Sequence, residues 1–161
     1  MCISRREMTE KYYDMVYRLA LSCTKSRQYA DDVAQEVFLR FLKSDKVFES
    51  EEHVKAWLIR VTVNRSKSVF SDLWFKRTVP LDENIPFSSP EISEVYYAVL
   101  KLPQKYKTAL HLFYYEDMSV KSIAECLGEK EATVKTLLHR GRNMLKKSLD
   151  GRCDDEHSKT V

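Results

Sequence analysis

Three of the four prolines in this 161-residue chain fall within one short stretch, at Pro80, Pro86 and Pro90. Proline lacks the backbone N–H that a helix ladder needs and pushes its predecessor out of the helical region. The stretch RTVPLDENIPFSSPE therefore reads as an extended linker that divides the chain in two. Breakers are scarce elsewhere, with three glycines in all. An all-β fold needs many tight turns, so this scarcity argues against one. Each flanking block is near the lower size limit for a self-supporting core.

Both blocks carry helical periodicity. In the first, Tyr13, Val16, Tyr17, Ala20 and Leu21 form one apolar stripe. Val33, Val37, Phe38, Phe41 and Leu42 form a second. A third helix is expected from about Glu52 to Arg77, with Val54, Trp57, Leu58 and Val61 on one face. In the second block, Ile92 to Leu100 reads as a helix, and Pro103 sits where the first turn of the next is tolerant. Ser119 is placed to cap VKSIAECLG, and a long helix is expected from Glu131 to Leu149. The fold expected is all-α: two small helical domains at 1–77 and 92–150, joined by an extended linker at 78–91. The tail 151–161 lacks periodicity and is expected to be flexible.

Charge follows the same division. The net charge is +3, but the first block carries +4, the linker −3, the second block +3 and the tail −1. From Ala132 to Leu149 there are five bases and no acid. Just before them, Ala124, Gly128 and Val134 stand at the spacing of a helix-turn-helix: a small residue at a close crossing, a turn glycine, and an anchoring aliphatic. The N-terminal part of such a second helix enters the DNA major groove. Lys130, Thr133, Lys135, Thr136 and His139 stand near that end, with Arg140 and Arg142 placed to grip phosphates. A solvated basic face on an ordinary hairpin is the alternative for the charges alone.

From Lys55 to Arg77 six bases face a single acid, with Trp57, Phe70, Trp74 and Phe75 interleaved. Basic groups attract a nucleic-acid backbone, and aromatic faces stack on unpaired bases. Trp57 reads better as core. On the second helix, Asp32, Gln35, Glu36 and Leu39 lie opposite Val33, Val37 and Phe41, a face suited to a basic protein partner or to solvent.

The four cysteines form no CxxC pair, and no His stands at a zinc-ligand spacing from a Cys pair. There is no phosphate loop and no catalytic dyad, so neither an enzyme nor a bound cofactor is expected. No apolar run approaches the length that spans a bilayer, and the first residues lack the apolar core of a signal peptide. A reduced, cytoplasmic protein without membrane insertion is the expectation.

Taken together, these motifs resemble the extracytoplasmic-function (ECF) group of the sigma-70 family, the promoter-recognition subunits of bacterial RNA polymerase. DDVAQEVFLRFL resembles region 2.2, VKAWLIRVTVNRSKSVFSDLWFKR regions 2.3–2.4, and LPQKYKTALHLFYYEDMSVKSIAECLGEKEATVKTLLHRGRNML region 4. The resemblance implies that Asp32, Gln35, Glu36 and Leu39 dock on the clamp of the polymerase β′ subunit. It implies that Phe48 and Asn64 surround a base flipped from the minus-ten element, while Arg60, Lys67, Trp74, Lys76 and Arg77 hold that strand. Region 4 would read the minus-thirty-five duplex and contact the β flap. An anti-sigma factor is a further partner at the level of the family. The sequence departs from the family pattern at Leu137, where Arg is frequent, and at Gly141, where Ala is usual. Ser68 and Ser71 replace an Asp and an Arg common after Asn64. The competing reading is a stand-alone helix-turn-helix regulator whose first block dimerises or binds a ligand.

Overall fold

The computed structural model describes residues 3–75 and 90–158, and the side-chain surroundings of 3–69 and 95–150. Among the described residues there are seven α-helices and no strand. They are α1 (Arg5–Thr24), α2 (Arg27–Lys43), α3 (Glu51–Phe75), α4 (Pro90–Leu100), α5 (Gln104–Tyr114), α6 (Val120–Leu127) and α7 (Glu131–Ser158). Two compact units result, one built on α1–α3 and one on α4, α5, α7 and the first part of α6. The all-α expectation holds.

In the first unit each helix packs on the other two. Ser4 caps α1, its hydroxyl accepting from the Glu7 N–H at 3.4 Å. Ser26 caps α2 in the same way through Tyr29. These caps satisfy amide groups that have no partner inside the helix. Lys25 ends α1 in the left-handed region at φ 57°, with its N–H on the Leu21 carbonyl at 2.8 Å. The core is Val16, Leu19 and Cys23 from α1, Val33, Val37 and Phe41 from α2, and Val54, Leu58, Ile59 and Val63 from α3. Burying each of the larger of these is worth about 1.5–3 kcal/mol relative to exposure. Two residues of the expected apolar stripes stand outside it: Tyr13 is 38% exposed, at the start of the α1 stripe, and Leu42 is 49% exposed. Leu42 lies one residue beyond the α2 stripe, which ends at Phe41.

In the second unit α7 packs on α5 and α4. Leu100, Ala109, Leu110, Leu112, Ile123, Val134 and Leu138 are buried. Ser119 caps α6 as expected, accepting from the Ser122 N–H at 3.1 Å. Gly128 takes φ +67°, the turn that a glycine allows at little cost. Pro103 stands one position earlier than expected, at the N-cap of α5, where its carbonyl accepts from Tyr106 and Lys107.

The last helix runs past the Leu149 end expected for it. α7 continues to Ser158, through the residues read as a flexible tail. No proline interrupts this stretch, and Gly151 costs a helix only about 1 kcal/mol relative to Ala. The apolar stripe of α7 does end near Leu149, and that loss of periodicity is what made the tail look irregular.

Candidate nucleic-acid interface

Three surfaces carry the candidate residues. On α2, Asp32, Gln35 and Leu39 follow at helical steps and are exposed, with Leu39 54% accessible. Leu42 extends this face by a further three residues, so it ends in two exposed leucines. Glu36 is only half-exposed, because both its oxygens are engaged. Oε2 accepts from Arg65 Nε at 2.5 Å and Oε1 from Arg40 Nη2 at 2.9 Å. Glu36 therefore ties α2 to α3 as well as standing on the α2 face.

The second surface is the loop between α2 and α3 with the outer face of α3. Phe48 is half-buried in an aromatic cluster. Its ring meets Trp57 edge-on at 5.9 Å and Phe41 at 5.6 Å, and Phe41 meets Trp57 at 5.9 Å. Trp57 thus serves the packing, as its sequence context implied. Arg60, Asn64 and Lys67 recur at steps of four and three, so they share one face, and all three are exposed. Asn64 offers both a donor and an acceptor to a base edge. Trp74 lies in α3 with its side chain outside the described residues; Lys76 and Arg77 lie wholly outside them.

Sequence reasoning missed how the loop is held. Arg5, at the start of α1, donates from Nη1 to the Phe41 carbonyl and from Nη2 to the Lys46 carbonyl at 2.8 Å. Its guanidinium also lies 5.2 Å from the centre of the Phe41 ring and 5.6 Å from that of Phe48. No spacing in the sequence links Arg5 to a loop some forty residues away. The start of α3 is fixed from α1 too. Glu51 Oε1 accepts from Lys11 Nζ and from the Tyr12 hydroxyl at 2.6 Å. These hydrogen bonds, Lys11's first, hold the Glu51 carboxyl below its ordinary value. Burial, then the bond to Glu51, pushes the Tyr12 phenol well up.

The third surface is α7. Val134, Leu138 and Gly141 face inward. Thr136, His139 and Arg140 are exposed on the opposite side, Thr133 and Lys135 are exposed on its flanks, and Lys130 is exposed just before its first residue. Thr136 Oγ1 turns back to the Ala132 carbonyl at 3.0 Å. Asn143, absent from the sequence-based set, shares this outer face, its Nδ2 3.3 Å from His139 Nε2. Arg142 stands apart. Its guanidinium lies 5.9 Å from the ring centres of both Phe113 and Tyr114, at the end of α5. Gly141 makes the α5–α7 crossing close, since a Cβ there would stand 3.1 Å from Leu110 Cδ1. Among the described residues, no cluster of His, Cys, Asp and Glu could hold a metal ion. No helix of theirs is long and apolar enough to cross a membrane.

Comparison with known proteins places this arrangement. Residues 8–75 match the family model of sigma-70 region 2, and residues 92–145 that of sigma-70 region 4. The RNA polymerase sigma factor SigV of Bacillus subtilis (strain 168) is 33% identical over 139 residues, covering 83% of either chain. The ECF RNA polymerase sigma factor SigW of the same organism is 28% identical over 163 residues, covering 89% of this chain and 87% of its own. Among solved structures, the sigma factor RpoE of Bartonella quintana, in complex with the anti-sigma factor NepR, has a similar fold. The TM-score is 0.75 at 19% identity, over 90% of this chain and 96% of that one. The chain is a transcription initiation factor of the sigma-70 family. Within that family it belongs to the extracytoplasmic-function group, and it acts as an RNA polymerase sigma factor on promoter DNA.

Proposed function

We propose that the first domain, residues 1–77, docks on the β′ clamp through Asp32, Gln35, Glu36 and Leu39. It then captures a flipped minus-ten base between the Phe48 loop and Asn64. Arg60 and Lys67 hold the strand, with Trp74, Lys76 and Arg77 continuing the track. The second domain, residues 92–150, reads the minus-thirty-five duplex through Lys130, Thr133, Lys135, Thr136, His139 and Arg140, and also meets the β flap. The linker 78–91 carries acid and no base, which suits a path that avoids DNA. The work of opening comes from binding, with no bond hydrolysed by this subunit. A protein working with the polymerase in this way is cytoplasmic. An anti-sigma factor that covers these surfaces is the expected regulator, as NepR accompanies RpoE in the solved complex.

The observation that carries the reading is the pairing of an aromatic loop with one exposed α3 face bearing Arg60, Asn64 and Lys67. Cations at such spacing track a phosphate backbone, and an amide between them can read a base edge. Run-off transcription with purified core enzyme on genomic fragments tests it. Specific starts that vanish when Asn64 and Lys67 are changed to alanine support the reading. Specific starts that survive both changes sink it.

A further inference from the structure

We infer that Arg5 is a positioning residue for promoter opening: it holds the Phe48 loop in the shape that receives a base. The inference rests on the base-capture reading above and names a residue outside the span matched to region 2, which begins at residue 8.

The loop between α2 and α3 has few restraints of its own. Residues 44–48 have no regular structure, and Val47 at its tip is 86% exposed. Its local hydrogen bonds are the Ser44 cap on Arg40 and the Lys46 N–H to Ser44 Oγ at 3.1 Å. Ordering such a backbone costs about 1–2 kcal/mol per residue, so a loop held only at its ends samples other shapes. Beside the packing of Phe48 on Phe41 and Trp57, Arg5 supplies a polar restraint on the loop. One guanidinium donates to the last carbonyl stretch of α2, at Phe41, and to Lys46 in the loop itself. It thereby fixes the distance between the helix end and the loop two residues before Phe48. The same plane lies against both the Phe41 and Phe48 rings, so the side chain sets the ring as well as the backbone.

Arg5 is itself well anchored. It opens α1 directly after the Ser4 cap, and its own carbonyl accepts from Thr9 Oγ1 at 2.8 Å. A planar fork on a fixed helix end is what two diverging carbonyl bonds require. Lysine keeps the charge but cannot span both acceptors. Losing Arg5 therefore leaves the fold of the three helices in place and frees the loop. A pocket whose capturing ring is only part of the time in position binds its base more weakly by that fraction.

The test uses the full chain in holoenzyme with core polymerase, on a promoter enriched from random DNA by that holoenzyme. A fluorescent 2-aminopurine in the minus-ten element reports base capture. Core binding and thermal melting are measured beside it. Arg5→Ala and Arg5→Lys should each slow opening about tenfold, with core affinity unchanged. Phe48→Ala should slow it at least as much, and adding Arg5→Ala to Phe48→Ala should cost little more, since both act on one ring. Normal opening by Arg5→Ala, beside slow opening by Phe48→Ala, overturns the role of Arg5 alone. Fully additive losses, or a loss matched by weaker core binding, overturn it as well. Normal opening by Phe48→Ala removes the base-capture reading itself, and the inference about Arg5 falls with it.

Discussion

The Arg65 guanidinium donates to Glu36 across the α2–α3 packing at 2.5 Å, while the other Glu36 oxygen takes Arg40. An acidic residue on the proposed docking face is thus also an internal tie. The side chains of Glu36 and Arg65 are each about one-third exposed, so the tie is partly screened. Glu36→Ala should cost about 1 kcal/mol of stability in urea unfolding, and Arg65→Ala a similar amount. The double variant should cost less than the two together. Asp32→Ala, on the exposed part of the same face, should leave stability unchanged and weaken core binding. Equal destabilisation by Asp32→Ala and Glu36→Ala would contradict this division of labour.

Glu51 gives a pH signature. Its carboxyl is held below the ordinary 4.5 by Lys11 and then Tyr12. A depressed folded value means that the contribution to stability is complete above the ordinary value and lost as pH falls through the folded one. The stability gap between the native chain and Glu51→Gln should therefore be widest near neutrality. It should close in acid, as pH falls through the lowered folded value, because residue 51 is then uncharged in both proteins. Urea titrations at a series of pH values measure the gap. A gap independent of pH would show that the Lys11–Tyr12–Glu51 link contributes nothing electrostatic.

Gly141 stands in mid-helix, where alanine is the expectation from sequence, and the helix crossing supplies a reason. A Cβ would meet Leu110 Cδ1 at 3.1 Å, Leu110 Cγ at 3.3 Å and Tyr106 Cβ at 3.4 Å. Alanine would gain up to about 1 kcal/mol of helix preference, and the Leu110 shift would take much of it back. Gly141→Ala should thus stay within about 1 kcal/mol of the native chain in denaturant unfolding. Gly141→Val adds two more atoms at the crossing and should destabilise by about 1–3 kcal/mol. A strongly stabilising alanine would mean that the crossing is looser than the distances indicate.

The helices were legible in the sequence because apolar spacing and cap residues act locally. Ser119, Gly128 and the Val134–Leu138 stripe each announce their role within a few positions. The long-range ties were not. Arg5, Glu36–Arg65 and the Gly141–Leu110 approach depend on which helices lie side by side, and no local pattern encodes that. Leu42 shows the same limit. At helical spacing it looks like core, yet it stands one residue off the buried Val33–Val37–Phe41 stripe and is 49% exposed. The continuation of α7 to Ser158 was hidden for the opposite reason, since backbone helicity there needs no apolar stripe.

Arg140 and Arg142 are two residues apart and should behave differently on DNA. Residues two apart on a helix point to different sides. Arg140 is on the outer face with Thr136 and His139, whereas Arg142 lies over Phe113 and Tyr114 of α5. A cation free to meet a phosphate releases a counterion on binding, and its loss lowers the salt dependence of affinity. Arg140→Ala should weaken minus-thirty-five duplex binding similarly across sequences and reduce the salt slope by about 1. Arg142→Ala should instead lower the stability of the second unit by about 0.5–1 kcal/mol, the worth of an exposed cation–π contact. Its salt slope should change less. Binding titrations over a range of salt, paired with melting curves, separate the two. A larger salt effect from Arg142 than from Arg140 would mean that the guanidinium leaves its aromatic seat for the phosphates on binding.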